Sequence, residues 1–260
     1  MAIVTFLSDF GLSDHYVAAV KASIIKAHPQ TTIVDISHQI AVGDVGHAAH
    51  ILSSVFRDFP EGTVHLIAVS NSNAKMTKAV AVKLEDHYFV GDDSGIFSLL
   101  SEQQPTEAVD LHNEQSAHST FVARDVLGAV AARLANGQAM TDMGTSVDGL
   151  NEFMPTRSKA TKQQIAGNIV RIDHYGNLIT NIMLRDFAAI QKINDYCPFE
   201  VNFRREKIDK INQSFFEVGP GECFVIFDSQ GRLQIGVLQG NGSELLGLMV
   251  HDQVFIDFKI

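Results

Sequence analysis

The chain has 260 residues, 45% of them hydrophobic and 19% charged, with a net charge of −10 and a pI of about 5.5. That length fits one large domain or two of unequal size, with room for a sizeable core. The acidic balance disfavours nonspecific binding to nucleic acid or an anionic membrane, and no run approaches the roughly 18 apolar residues of a spanning helix.

Residues 1–9 show no basic segment followed by an apolar core, so no secretory signal is expected. From residue 1 to 155, strand-like and helical signals alternate. Ile3–Leu7, Thr32–Ile36, Thr63–Val69, Ala79–Leu84 and Tyr88–Val90 are short β-branched or aromatic runs. Asp14–Ala27, Gly43–Phe56 and Ala123–Ala135 between or after them read as helices. Strands alternating with helices of this length predict an α/β domain over 1–155, with a mostly parallel sheet and flanking helices. The polar, basic stretch 156–166 has no apolar period and reads as a linker. Beyond it the texture changes. Gly167–Ile172, Leu178–Met183, Phe199–Phe203, Cys223–Phe227, Leu233–Val237 and Gln253–Phe258 are strand-like, with short helical runs near Asp186–Ile190 and Glu244–Leu248. Residues 167–260 are therefore expected to form an all-β, barrel-like domain. The two cysteines, Cys197 and Cys223, lack any companion metal-ligand spacing and read as reduced thiols of a cytoplasmic protein.

Two segments concentrate polar chemistry on turns after apolar runs. Ser8-Asp9-Phe10-Gly11-Leu12-Ser13-Asp14-His15-Tyr16 follows the first strand, at the edge where open α/β sheets bind small ligands. Ile172-Asp173-His174-Tyr175-Gly176-Asn177-Leu178-Ile179-Thr180-Asn181-Ile182 lies far downstream. Asp9 suits either a ligand hydroxyl pair or the cap of the next helix, with Ser13 a candidate N-cap and Asp14 in the first turn. Tyr175-Gly176-Asn177 suits either a stacking-and-amide recognition surface or an ordinary hairpin turn. Asp44, His47 and His50 fall at i, i+3, i+6 of a predicted helix. No zinc-type motif surrounds them, and no metal is expected.

Thr5–Val17, Val34–His38, Phe59–His65 and Phe89–Gly95 resemble successive signatures of one family, the S-adenosylmethionine (SAM) hydroxide adenosyltransferases with their fluorinase and chlorinase relatives. Ile172–Ile182 and Asp228–Ile235 resemble that family's downstream stretches, in the same order. The resemblance implies displacement of methionine from the ribose 5′-carbon of SAM by water, hydroxide or a small anion, without a prosthetic group. It also implies a homotrimer with SAM sites at subunit interfaces. Asp9 would take the ribose diol, and Asp14 and Tyr16 would lie toward the amino-acid end. Asn177 would face adenine, Tyr175 and Phe215 would stack on it, and Asp173 would meet the α-ammonium. Ser229 and Gln230 align with residues that hold the methionine carboxylate. His38 would order backbone.

The hydroxide-using members position their water with an Asp, an Arg and a His. Here Ser70, Thr77 and Val122 stand at those positions. Valine cannot relay a proton, and the two hydroxyls are poor general bases unaided. Halogenating relatives also lack the triad, so Ser70, Asn71, Thr77, Val122 and Ala123 remain a candidate nucleophile pocket, with Ser72 a further hydroxyl donor. Asp92 and Ser94 also depart from the family's turn, while Asp93 and Gly95 match it. A noncatalytic SAM- or adenosine-binding protein on the same scaffold is the alternative reading.

Overall fold

The computed structural model describes residues 2–69, 78–111, 118–154 and 156–260. The chain divides into two compact units between residues 154 and 155.

The N-terminal unit is built on a seven-stranded sheet. Its elements are β1 (Ile3–Ser8), α1 (Tyr16–Ala27), β2 (Thr32–Ser37), α2 (Val45–Val55), β3 (Val64–Ala68), β4 (Ala79–Leu84), β5 (His87–Asp92), α3 (Phe97–Leu100), β6 (Glu107–Asp110), α4 (Gly128–Ala135) and β7 (Thr145–Ser146). The strand order is β2-β1-β3-β5-β4-β6-β7. β1 pairs in parallel with both β2 and β3, and β3 in parallel with β5; β4 and β7 run the other way. The sheet is thus mostly parallel and covered on both faces. Phe6 and Leu66 pack with Val20 and Ile24 of α1 and Ala131 of α4. Leu7 and Ile67, one residue along each strand, pack with Ala48 and Leu52 of α2 on the other face. That alternation is the two-residue period of a strand buried on both sides.

Three expectations change. Helix α1 starts at Tyr16, not Asp14, and its N-cap is His15 with no side-chain cap bond. Ser13 therefore caps nothing, and Asp14 lies ahead of the first turn. The segment expected as one helix over 123–135 begins with a π turn, Ala123–Leu127, before α4. In the expected linker, Lys159–Ala160 forms a short strand, β8, on Ala166 and Ile165 of β9 (Gln164–Ile172). Polar side chains hid it because an edge strand needs only its backbone to pair.

The C-terminal unit adds β10 (Leu178–Met183), α5 (Leu184–Ile193), β11 (Phe199–Phe203), β12 (Glu206–Ile208), β13 (Cys223–Phe227), β14 (Arg232–Val237), α6 (Gly242–Leu246) and β15 (Gln253–Phe258). These form an antiparallel sheet in the order β12-β11-β15-β9-β10-β14-β13, with β8 on β9. An isolated bridge from Asn212 to Ile226 brings the chain beyond β12 against β13, so the sheet nearly closes into a barrel. Ile165, Ile169, Leu178, Ile182, Leu233, Ile235, Val254 and Ile256 fill it at alternate strand positions. Both cysteines are free, and burial pushes the Cys223 thiol up to about 11. No helix among the described residues is long and apolar enough to cross a membrane.

Candidate functional site

Strand β1 sits where the strand order reverses, with β2 on one side and β3 on the other. Its carboxyl end is therefore the crevice in which doubly wound sheets hold ligands. Ser8 and Asp9 occupy that end. The Asp9 N–H donates to the Ala68 carbonyl at 3.3 Å, and Asp9 Oδ2 accepts from the Gly43 N–H at 3.0 Å. Asp9 thus ties β1 to the loop before α2 and does not cap α1. Asp44 is the residue that caps a helix, accepting from the His47 N–H at 2.9 Å at the start of α2.

Gly11 makes the turn after Asp9 possible. Its φ of +69° is open to glycine without strain, and its N–H donates to the His38 carbonyl at 2.8 Å. His38 is buried and spans two elements. Its Nδ1 lies 2.7 Å from Ser8 Oγ and its Nε2 3.1 Å from Asp35 Oδ1. Burial alone would raise the Asp35 pKa, but hydrogen bonds from Lys21 and His38 outweigh it and hold the carboxyl below its usual range. His38 therefore orders side chains as well as the backbone of the turn.

Asp14 is exposed and Tyr16 half-exposed. The Tyr16 ring lies 5.8 Å from Phe10 and 5.5 Å from Phe121, and these two are 5.7 Å apart. This three-ring cluster joins the Asp9 turn to the segment holding Val122 and Ala123. Neither Phe10 nor Phe121 stands out in the sequence; their only signal is position, each next to a candidate residue. Val122 is half-buried against the core, and Ala123 is inside it. The π turn begins at Ala123, and such turns are frequent at functional sites because they re-aim side chains within a helix. Ser70, Asn71, Ser72 and Thr77 lie outside the described residues. Asp93 is buried, and its carboxylate accepts from the Asn151 N–H at 2.9 Å and from Asn151 Nδ2 at 3.1 Å. Burial raises its pKa. This carboxylate anchors the 151 segment.

In the C-terminal unit, Asp173, Tyr175 and Asn177 share the turn between β9 and β10. Asp173 Oδ1 accepts from the N–H groups of Tyr175 and Asn177, both at 2.9 Å, and Asp173 Oδ2 accepts from Asn177 Nδ2 at 2.9 Å. The turn is self-tied, and Asp173 works first as its organiser. The Tyr175 ring is left 75% exposed. Asn177 Oδ1 packs over Gly236 beside Phe224, where an added Cβ would come within 2.3 Å of the amide oxygen and 2.4 Å of the ring. Phe215, 44% exposed, meets Phe224 edge-on at 5.0 Å. Asn177 and Phe224, with Phe215 beside the latter, thus border a step that only glycine at 236 permits; Phe224 and Gly236 are the residues that motif reading passed over.

Ser229 and Gln230 lie on the turn between β13 and β14, organised by Asp228, whose Oδ1 accepts from Gln230 and Arg232 N–H at 2.8 Å. That turn adjoins Leu184, because the Leu184 N–H donates to the Gly231 carbonyl at 2.7 Å. It sits at the opposite end of β10 from Asn177, roughly 15–20 Å away at about 3.3 Å per strand residue. The unit therefore brings Asp173, Tyr175, Asn177 and Phe215 together and leaves Ser229 and Gln230 apart.

Residues 4–144 match the family description "SAM hydroxide adenosyltransferase N-terminal domain", and residues 167–255 match its C-terminal domain. The chain is 31% identical over 260 residues to an (R)-S-adenosyl-L-methionine hydrolase of Thermus thermophilus, covering 95% of this chain and 96% of that one. It is 26% identical over 216 residues to a fluorinase of an Actinoplanes species, covering 71% and 72%. An uncharacterized conserved protein from Thermotoga maritima has the same fold, with a TM-score of 0.86 and 28% identity over 98% of this chain and 99% of that one.

Proposed function

The chain belongs to the SAM hydroxide adenosyltransferase family, and from that premise we propose that it binds SAM and transfers the 5′-deoxyadenosyl group to water or a small anion. The observation that carries the reading is the Asp9 turn. One carboxylate oxygen is fixed by the Gly43 N–H at the carboxyl end of β1, which leaves the other to accept from a ribose diol. Tyr175, Asn177 and Phe215 supply the faces and the amide that an adenine ring needs. Asp14 and Tyr16 would meet the amino-acid end. Completing the site at the interfaces of a homotrimer accords with the exposure of Tyr175.

The sulfonium leaves as neutral methionine, so no group need protonate it. The protein's task is to align the nucleophile and strip its water. Ser70, Asn71 and Thr77 would offer hydroxyl and amide donors, while Val122 and Ala123 would keep the pocket apolar. A second reading has a specific support: Val122, at the position where the resemblance would put a proton-relaying histidine, is hydrocarbon packed on the core. It makes the protein a noncatalytic binder of SAM or adenosine.

The test is to incubate pure protein with SAM in buffers that differ only in anion, and to identify the nucleoside by mass. Adenosine or a 5′-halo-adenosine with released methionine supports transfer. Unchanged SAM with calorimetric binding selects the binder, and no binding of SAM or adenosine overturns both.

A further inference from the structure

Asp35 lies on β2, the edge strand of the N-terminal sheet, and its side chain is exposed. Its Oδ2 accepts from Lys21 of α1 at 2.5 Å, and its Oδ1 faces His38 Nε2 at 3.1 Å. In a regular strand, residues three apart face opposite ways. Here Asp35 pairs with Phe6 and Ser37 with Leu7, so β2 carries one extra residue. Such a bulge re-aims side chains, and it turns Asp35 and His38 to one side.

Burial then fixes where the protons sit. Ser8 and His38 are 0% and 4% exposed, and the imidazole stands edge-on to Phe6 at 4.7 Å. His38 Nε2 has no straight hydrogen bond among the described residues, and the Asp35 carboxylate before it carries only acceptors. A bare Nε2 would set lone pair against lone pair, whereas a proton there is attracted. Nδ1 is then the acceptor, and Ser8 Oγ donates to it at 2.7 Å. The Ser8 oxygen accepts in turn from the Phe10 N–H at 3.4 Å. The opposite tautomer would point two donors at Ser8 Oγ and leave the buried hydroxyl proton without an acceptor, which is the costly arrangement. The His38 carbonyl also accepts from the Gly11 N–H. Both amides that follow Asp9 are thereby held from one residue.

We propose that Asp35 is a positioning residue for Asp9. It holds His38 as the Nε2–H tautomer, which keeps Ser8 as donor to Nδ1 and as acceptor for the Phe10 N–H. Its effect on a ligand rests on the reading of Asp9 as the acceptor from a ribose diol.

Long-range ring ¹H–¹⁵N spectra of the full chain, with His38 assigned by its loss in His38→Asn, should show Nε2 protonated and Nδ1 bare. Asp35→Ala should populate both tautomers and speed amide exchange at Phe10 about threefold or more relative to Leu66 of β3. It should weaken adenosine binding about three- to tenfold by calorimetry, the span of one net hydrogen bond. Lys21→Met removes the tie to α1 but not the carboxylate, so tautomer and exchange should match the parent. In His38→Asn the amide oxygen can replace Nδ1 but nothing faces Asp35, so adding Asp35→Ala should change nothing further. A bare Nε2 or a doubly protonated ring in the parent would overturn the proposal. So would parent-like tautomer and exchange in Asp35→Ala, a Lys21→Met effect equal to that of Asp35→Ala, or an Asp35→Ala effect that persists once His38 is replaced. Asp9→Asn in the same titration separates the two readings. Affinity lost there but kept in Asp35→Ala overturns the role of Asp35. Affinity kept in Asp9→Asn overturns the diol reading, and the ring spectra and exchange then decide the role of Asp35 without a ligand.

Discussion

His65 offers the sharpest test of the energetics of the N-terminal unit. It lies on β3, fully buried, with its ring stacked on Phe89 at 4.9 Å and edge-on to Phe56 and Phe59. Its Nδ1 is 2.8 Å from Thr5 Oγ1 and its Nε2 3.1 Å from His87 Nδ1. Burial first, and the neighbouring His87 second, push its pKa from 6.5 down to about 3. The sign follows from proton counting. Between pH 6.5 and 3 the unfolded chain binds a proton at this residue and the folded chain does not, so stability falls as pH falls through that window. At pH 5.0 the loss relative to pH 7.5 is about 2 kcal/mol, from 1.36 kcal/mol per unit over about 1.5 units. Because pH 5.0 lies well above the folded pKa, that loss is set by the unfolded value. His65→Gln keeps groups able to reach Thr5 and His87 but does not titrate. Urea unfolding at the two pH values, followed by amide exchange in β3 and β5, reports this unit alone. The variant should lose about 2 kcal/mol less than the parent between pH 7.5 and 5.0. Equal losses in the two proteins would refute the reasoning.

Three further outcomes follow from the candidate site. Asp9→Asn should weaken adenosine binding about tenfold or more by calorimetry, since a hydrogen bond to a charged group contributes about 1.5–3 kcal/mol; unchanged affinity would remove Asp9 from the site. Gly236→Ala forces a Cβ against Asn177 and Phe224, and should cost about 1–3 kcal/mol in urea unfolding as overpacking does, together with adenosine affinity. A variant as stable as the parent would show that the step beside Asn177 is loosely packed. Ser70→Asp, Thr77→Arg and Val122→His combined should raise adenosine release from SAM, and no gain would count against the placement of those three positions.

The strands that the sequence marks well are those whose side chains decide their own fate. Ala79–Leu84, Leu178–Met183 and Phe199–Phe203 appear at the expected bounds because apolar runs of that length must be buried. β6 (Glu107–Asp110) and β8 (Lys159–Ala160) carry charged or small residues, and β4 and β9 recruit them through backbone pairing that leaves no trace in hydropathy. Helix α1 starts two residues after the sequence suggests for a related reason. Ser13 and Asp14 have cap chemistry, but the Gly11 turn, held by the His38 carbonyl, carries the chain past them before the helix begins.

The candidate site divides along the same line. Asp9 and the 173–177 turn were legible because their polar groups are attached to backbone geometry: a glycine turn after a strand, and an Asp-to-Asn loop that closes on itself. Such pieces keep their shape whatever ligand they meet. Phe10, Phe121 and the Gly236 step are hidden because aromatic residues and a strand glycine read as core until packing within each unit sets their surroundings. Positions 70, 77 and 122 differ again. Val122 lies half-buried against the core, and only the resemblance assigns 70 and 77 to the reacting pocket. The Asp9 and 173–177 turns are set by their own hydrogen bonds, so they do not depend on which residues stand at 70, 77 and 122. This is why the nucleophile, and not the scaffold, is what the anion-by-anion incubation must decide.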